Sequence, residues 1–269
     1  MTDQHYEITE EAREYLEKML GDTAESLSAT DPEFATIFNN FAFDKLVGSD
    51  DIDDRRRFLC IIAGVMGAQG LETFEIVLNG ALNFGVDPIE IKEVIYQAVP
   101  YLGIARVLPF LTTANKVLAE RGIELPLDSQ KTVEDENRQS AGNEIQVQVF
   151  GEGMRENWTF APEGRRAINQ WLASNCFGDY YTRNGLSLAD RELITFCYTI
   201  SMGGAHPQAI SHAIGNIKIG NSAVLLRNAV HQLIPYVGYP RVLNALAAID
   251  NATAAIFEDD TQQRAMKKF

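Results

Sequence analysis

The apolar residues of this chain recur with helical spacing almost throughout. In the second half, one group falls at positions i, i+3, i+4 and i+7, as on one face of a helix: Leu193, Phe196, Cys197 and Ile200. The next group repeats that spacing: Ile210, Ala213, Ile214 and Ile217. Gly203 and Gly204 between the two groups predict a helix end, and Pro207 suits the first turn of the helix that follows. Two further helices are predicted over 223–234 and 240–256.

The first half of the chain has the same pattern. It predicts helices over 56–66, 72–84, 89–99 and 104–120, and Asp87 followed by Pro88 is typical of a helix start. Strand signals are nearly absent. One segment, 144–150, alternates polar and apolar residues and predicts a single short strand. The fold class is therefore expected to be all-α.

An internal repeat relates the two halves. A set of residues in the first half recurs 135 positions later (236 − 101 = 135), without a gap: Gln97, Pro100, Tyr101, Gly103, Arg106, Val107, Leu108 and Leu111 become Gln232, Pro235, Tyr236, Gly238, Arg241, Val242, Leu243 and Leu246. The polar stretch 128–143 has no apolar periodicity and predicts a linker. The chain is thus expected to contain a first unit, 1–127, and a second unit, 144–269.

Composition narrows the classes of protein that this chain can be. The formal net charge of −14 disfavours a nucleic-acid partner or an anionic membrane surface. The longest apolar run, 58–68, is too short to span a bilayer, and the acidic residues 1–15 do not resemble a secretory signal. Three widely spaced cysteines do not make a disulfide framework, which indicates a reducing, cytoplasmic location.

Two polar residues of the second unit are placed for proton transfer. Glu192 lies 12 residues before Gly204 and His212 lies 8 residues after it, so in a helical hairpin their heights differ by roughly 6 Å. A carboxylate facing an imidazole suits general acid–base chemistry. His212 shares a helix face with Gln208, which favours a pocket or a subunit contact. From these features alone, a half-exposed surface histidine is the slightly favoured interpretation. The first unit has Arg57 and Val77 at the two positions, so its role is expected to be structural.

Other polar residues are weaker candidates. Arg241 could bind a substrate carboxylate, but the repeat keeps Tyr236 and Arg241 in both units, which favours a structural turn. Cys197 lies on an apolar stripe and is expected to be a small core residue. His206 and His212 are six residues apart and share no helix face, so no metal site is predicted. His5 and His231 are expected at the surface.

In several segments the sequence resembles the carboxymuconolactone decarboxylase family, which includes alkylhydroperoxidase D. The matching features are Arg191-Glu192-Leu193, His212 followed eight residues later by Gly220, and the segment that begins at Tyr236. The segment 177–192 is similar to tandem members of that family. The resemblance implies a helical unit that forms oligomers, so a duplicated chain is expected to form a trimer or a dimer. It also implies that Glu192 and His212 lie at or close to a proton relay.

The sequence departs from the peroxidase branch of the family at one motif. That branch has a Cys-x-x-Cys pair seven and four residues before the histidine, where this chain has Ala205 and Gln208. A disulfide-cycling peroxidase is therefore disfavoured, because a peroxidatic thiolate is missing. The decarboxylase branch needs no cysteine and acts on a lactone acid.

Three hypotheses remain open from the sequence. The first is a cofactor-free decarboxylase-like lyase acting on a small carboxylated substrate. In it His212 is the acid or base, Glu192 is its partner, and the candidate substrate contacts are Arg191, His206, Gln208, Tyr236 and Arg241. The second is a peroxidase that uses Cys197. The third is a small-molecule-binding or assembly protein whose site has decayed.

Overall fold

The computed structural model describes residues 7–21 and 29–266, with side chains as far as Glu258. In these ranges the structure contains helices and no strand, which confirms the all-α prediction. No helix in the described part of the chain is long and apolar enough to cross a membrane. His5 lies outside the described residues.

The described residues of the first unit form six main helices. They are α1 (Glu10–Leu20), α2 (Pro32–Asn40), α3 (Asp54–Ala68), α4 (Leu71–Asn83), α5 (Pro88–Leu102) and α6 (Ile104–Glu120). A π-helical segment, Phe41–Lys45, and one further turn, Leu46–Ser49, continue α2. Asp53 and Asp87 cap α3 and α5, each with its carboxylate accepting a backbone N–H of the first turn.

The second unit repeats this order. Its helices are α7 (Arg138–Phe150), α8 (Glu163–Trp171), α9 (Leu188–Met202), α10 (His206–Lys218), α11 (Ala223–Gln232) and α12 (Tyr239–Met266). The π-helical segment Leu172–Tyr181 continues α8, and a short turn, Ile234–Val237, follows α11. Three helix starts differ by the repeat offset of 135 residues: 71 and 206, 88 and 223, and 104 and 239. The two units are therefore equivalent in structure as well as in sequence.

The segment 138–150 corrects two expectations. The predicted strand at 144–150 is wrong, because these residues form the C-terminal half of α7. That helix begins at Arg138, inside the predicted linker. The alternation of polar and apolar residues indicated a strand because the buried face of α7 is partly polar. That face contains Asn143 and Gln146 as well as Val149, so the helical period of burial does not appear as a period of apolar residues. Tertiary contacts here outweigh local patterning.

A close approach of two backbones holds α7 in place. A Cβ atom on Gly142 would lie only 2.0 Å from the carbonyl oxygen of Ala173 and 2.4 Å from the backbone nitrogen of Gly178. Gly178 in turn leaves no room for a side chain beside the carbonyl oxygen of Arg138. These two glycines therefore let α7 lie directly on the π-helical segment.

The equivalent helices α3 and α9 pack against each other at the centre of the molecule. A Cβ atom on Gly67 would lie 2.7 Å from Cβ of Ser201, which shows how closely they approach. At their N-terminal ends, Asp190 of the second unit accepts hydrogen bonds from Arg55 at 3.0 Å and Arg56 at 3.2 Å. The main hydrophobic core runs through both units, and a smaller cluster forms around Cys176, Phe177 and Tyr181. The two copies thus form one body around a shared helix pair.

Candidate functional site

Glu192 and His212 meet across the hairpin of α9 and α10. The imidazole Nδ1 of His212 lies 2.8 Å from Oε2 of Glu192. Gly215, one turn after His212, leaves room for this carboxylate, because a Cβ atom there would lie 2.8 Å from Glu192 Oε2. The helix pair therefore brings the two predicted residues into direct contact.

A buried amide fixes the two helices to each other at this point. The Nδ2 group of Asn216 donates to the backbone oxygens of Glu192 at 2.8 Å and of His212 at 2.7 Å. Its side-chain oxygen accepts a hydrogen bond from Asn221. Asn216 follows His212 by four residues, so its position on the same helix face is visible in the sequence although its role is not. The side chain of Asn216 thus joins the backbones of α9 and α10 and fixes the relative position of Glu192 and His212.

His212 is more buried than a surface histidine. Only 7% of the residue is exposed, and Glu192 is fully buried. The ring of His212 lies edge-on to those of Tyr101 and Phe150, with centroids 5.5 and 5.6 Å away. The half-exposed surface histidine favoured by helix periodicity is therefore wrong, because residues from α5 and α7 cover this face.

Two tyrosines extend the site beyond the residues that the sequence indicated. The hydroxyl of Tyr181 donates to Glu192 Oε1 at 2.8 Å and lies 2.9 Å from the hydroxyl of Tyr101. It also lies 2.8 Å from Oγ1 of Thr195, which accepts a hydrogen bond from Gln97 at 2.9 Å. Burial raises the pKa of both tyrosines well above its ordinary value, so both are neutral phenols.

Tyr101 and Gln97 belong to the first unit. The sequence marked both as repeated residues, but only the packing of α5 against α9 shows that they reach the site of the second unit. The expectation that the first unit is purely structural is therefore incomplete. Its own equivalent position is apolar, with Val77 in place of His212.

A cavity of about 520 Å³ opens in front of His212. Its polar lining groups are the side chains of Tyr101, Gln146, Cys176, Thr199, Gln208 and His212. Its apolar walls come from Pro100, Phe150, Met154, Leu172, Phe177 and Met202, and the glycine turn with Ala205 closes one side. Its volume is in the range of small-molecule sites in proteins. Among the described residues that line it there is no lysine or arginine.

The structure places the other candidate substrate contacts in different positions. Gln208 lines the cavity beside His212. His206 and Arg241 line a smaller cavity of about 70 Å³ on the other side of the glycine turn. The two cavities share Thr199 and the segment 203–205 as a common wall.

Arg191 and Tyr236 lie away from this cavity. The guanidinium of Arg191 is buried and bonds Glu93 at 2.9 Å and Gln97 at 2.7 Å, so it joins the two units. Tyr236 lines a cavity of the first unit together with Val77. Tyr236 and Tyr101 are repeat equivalents, and each reaches across to the other unit.

The remaining histidine of the described residues is His231. Its Nδ1 lies 3.2 Å from Oδ1 of Asp50, and its side chain is about one third exposed. No group of three metal-ligating side chains occurs among the described residues.

The three cysteines differ in their access to the cavity. Cys197 is fully buried in the core and does not line the cavity. Cys60 is also fully buried, and its hydrogen bond with Cys197, together with burial, raises its pKa well above the ordinary value. Cys176 lines the cavity, where burial raises its pKa to about 12. Cys176 was not among the sequence candidates, and its first-unit equivalent is Phe41.

We expect the thiols to react slowly and in a fixed order. In the native protein, Cys176 should be alkylated by iodoacetamide at least about tenfold more slowly than a free thiol, because thiolate is the reactive form. Cys60 and Cys197 should react only after unfolding. Mass spectrometry of the alkylated protein at timed intervals measures this order, with the urea-unfolded chain as control. Rapid, peroxide-sensitive loss of the Cys197 thiol would contradict this expectation and favour the peroxidase hypothesis.

Comparisons with known proteins match both copies of the unit. The sequence model of the Carboxymuconolactone decarboxylase family matches residues 32–115 and 167–251. These matches begin 135 residues apart (167 − 32 = 135), the offset of the internal repeat. Among solved structures, a provisionally named gamma-carboxymuconolactone decarboxylase subunit from Burkholderia xenovorans is 18% identical, with 94% of this chain and 97% of that chain covered and a TM-score of 0.48. A search of the curated proteins found no match.

Proposed function

Because this chain belongs to the carboxymuconolactone decarboxylase family, we propose that its second unit is a cofactor-free, decarboxylase-like lyase acting on a small carboxylated, lactone-type substrate. The observation that carries the proposal is the buried Glu192–His212 pair at the wall of a cavity of small-molecule size. A histidine oriented by a carboxylate is a common general acid–base arrangement.

The proposed reaction needs one proton. The bond between the substrate carbon and its carboxylate breaks, CO₂ leaves, and the electron pair remains on the carbon. The imidazolium of His212 donates its Nε2 proton to that carbon, which forms the C–H bond, and regains a proton from solvent. Nε2 suits this role because Nδ1 bonds Glu192, and none of the described residues bonds Nε2.

The charge distribution of the cavity favours loss of CO₂. A carboxylate that binds arginine or lysine is stabilised before it reacts, whereas the described lining of this cavity holds neither. Charge is dispersed as CO₂ forms, so an apolar setting favours the transition state over the carboxylate. Phe150 and Phe177 provide that setting on the side of α7 and the π-helical segment.

If the substrate has a second carboxylate, we propose that this group binds Arg241 and His206. Both side chains line the small neighbouring cavity, which has room for a group of carboxylate size. The shared wall of Thr199 and the glycine turn puts this cavity next to the one at His212. A guanidinium recognises a carboxylate with paired hydrogen bonds.

A thiol peroxidase is less well supported. The two positions at which that branch of the family carries its cysteines, Ala205 and Gln208, both line the cavity but supply no sulfur. The raised pKa of Cys176 disfavours its thiolate.

A decarboxylation assay tests the proposal directly. We expect release of CO₂ from at least one lactone-bearing dicarboxylic acid in a panel. Arg241→Gln should raise KM for that acid about 10- to 100-fold, because a hydrogen bond to a charged group is worth about 1.5–3 kcal/mol. Arg227→Gln is the matched control, since Arg227 pairs with Asp250 on the surface. Thermal stabilisation by the acids without any CO₂ would instead indicate a binding protein.

A further inference from the structure

We propose that Tyr181 and the first unit's Tyr101 are positioning residues that orient the Glu192–His212 pair through a one-directional chain of hydroxyl donors. For its catalytic meaning this inference rests on the proposed function, but the measurement that tests it needs no substrate. Each hydroxyl and thiol of this chain has one hydrogen to donate, whereas a carboxylate has none.

The direction of each hydrogen bond follows from Glu192. As a carboxylate, Glu192 can only accept, so the single hydroxyl hydrogen of Tyr181 points to its Oε1, 2.8 Å away. The Tyr181 oxygen must then accept from its other neighbours, which are Tyr101 at 2.9 Å and Thr195 at 2.8 Å. The hydroxyl of Thr195 accepts a hydrogen bond from the amide of Gln97, so this contact does not use the hydroxyl hydrogen, which can be donated to Tyr181.

The chain continues into the cavity. With its hydrogen committed to Tyr181, Tyr101 offers a lone pair, and the thiol of Cys176 donates to it at 3.7 Å. Burial keeps both phenols and this thiol in their neutral, donating forms. Donors therefore run in one direction, from Cys176 through Tyr101 and Tyr181 to Glu192.

The carboxylate of Glu192 also sets the tautomer of His212. The second carboxylate oxygen of Glu192 accepts from His212 Nδ1 at 2.8 Å, which places the hydrogen of the neutral ring on Nδ1. The unprotonated Nε2 is then the proton-exchanging atom of the ring. Tyr181 and His212 both donate to the carboxylate of Glu192. A stronger hydrogen bond from Tyr181 therefore weakens the hydrogen bond from His212 Nδ1, and a weaker one strengthens it.

Proton NMR of the ligand-free protein tests this coupling. We expect a far-downfield resonance for the Nδ1–H of His212, and ¹⁵N correlation should connect it to Nδ1 and not to Nε2. Tyr181→Phe should move the resonance further downfield, since Glu192 loses a competing donor. Tyr101→Phe should give a smaller shift in the same direction, because it weakens Tyr181 only indirectly.

Tyr236→Phe is the matched control. Tyr236 of the second unit is the repeat equivalent of Tyr101. It is partly buried against the first unit, and none of the described side chains connects it to Glu192. It should leave the resonance unchanged. If Tyr181→Phe does not fold, the Tyr101→Phe shift alone decides, because that residue does not touch Glu192.

Two results would overturn the inference. One is a neutral His212 ring in the wild-type protein whose hydrogen lies on Nε2 instead of Nδ1. The other is an unchanged Nδ1–H resonance in a folded Tyr181→Phe or, if that variant does not fold, Tyr101→Phe variant. Neither depends on finding a substrate, so failure of the decarboxylase proposal would leave this measurement intact. If a substrate is found, Tyr181→Phe should lower kcat with little change in KM.

Discussion

His212→Ala should lower kcat by about 10²- to 10⁴-fold, the range that a general acid–base group contributes. The imidazole is the only described group that both lines the cavity and bonds Glu192. Its removal leaves no acid at the position where the proposal places proton transfer. The measurement is kcat for CO₂ release, with circular dichroism to show that the helices persist.

His231→Ala is the control for this variant. His231 bonds Asp50 at the surface and lies outside the cavity, so its loss should leave kcat unchanged. Glu192→Gln should fall between the two, because the amide keeps the shape of the carboxylate but not its charge. Full turnover in a folded His212→Ala protein would rule out the proposed mechanism.

The largest expected loss of stability comes from Gly142→Ala. A Cβ atom there would lie 2.0 Å from the Ala173 carbonyl oxygen and 2.4 Å from the Gly178 nitrogen. Both are backbone atoms that cannot rotate away, so α7 must move off the π-helical segment. We expect the free energy of unfolding to fall by at least about 3 kcal/mol. Since that segment carries Tyr181 and Cys176, activity should fall as well.

Urea unfolding measures this loss, and Gly164→Ala is its control. Gly164 lies in α8, and nothing stands within 4 Å of an added Cβ atom. Alanine in an open helical position stabilises by roughly 0.5–1 kcal/mol relative to glycine. A Gly142→Ala protein as stable as the wild type would show that the two backbones are further apart than the structure has them.

Much of the fold was predictable because the repeat constrains it. Helical periodicity located α6 over 104–120, as the structure has it, and the glycine pair after α9 marked the hairpin correctly. The pairing of Glu192 with His212 followed from counting residues on either side of that hairpin. In each case the information lies within one helix or within two helices joined by a short turn.

The parts that the sequence did not reveal depend on contacts between distant segments. Tyr101 and Tyr181 are 80 residues apart, and no local pattern says that their hydroxyls meet. The burial of His212 depends on α7, whose polar residues conceal its helical nature. Arg191 looked like a substrate contact, but its ion pair with Glu93 is formed only when the two units pack together.

The reciprocal placement of Tyr101 and Tyr236 has a consequence for how a duplicated protein changes over generations. Each half of the chain supplies a wall residue to the other half's cavity. The first half has Arg57 and Val77 at the positions of Glu192 and His212, but it is not thereby free to vary, because Pro100 and Tyr101 of its α5 line the second half's cavity. A change in α5 of the first half should therefore alter the cavity of the second half, so the two halves are not independent of each other.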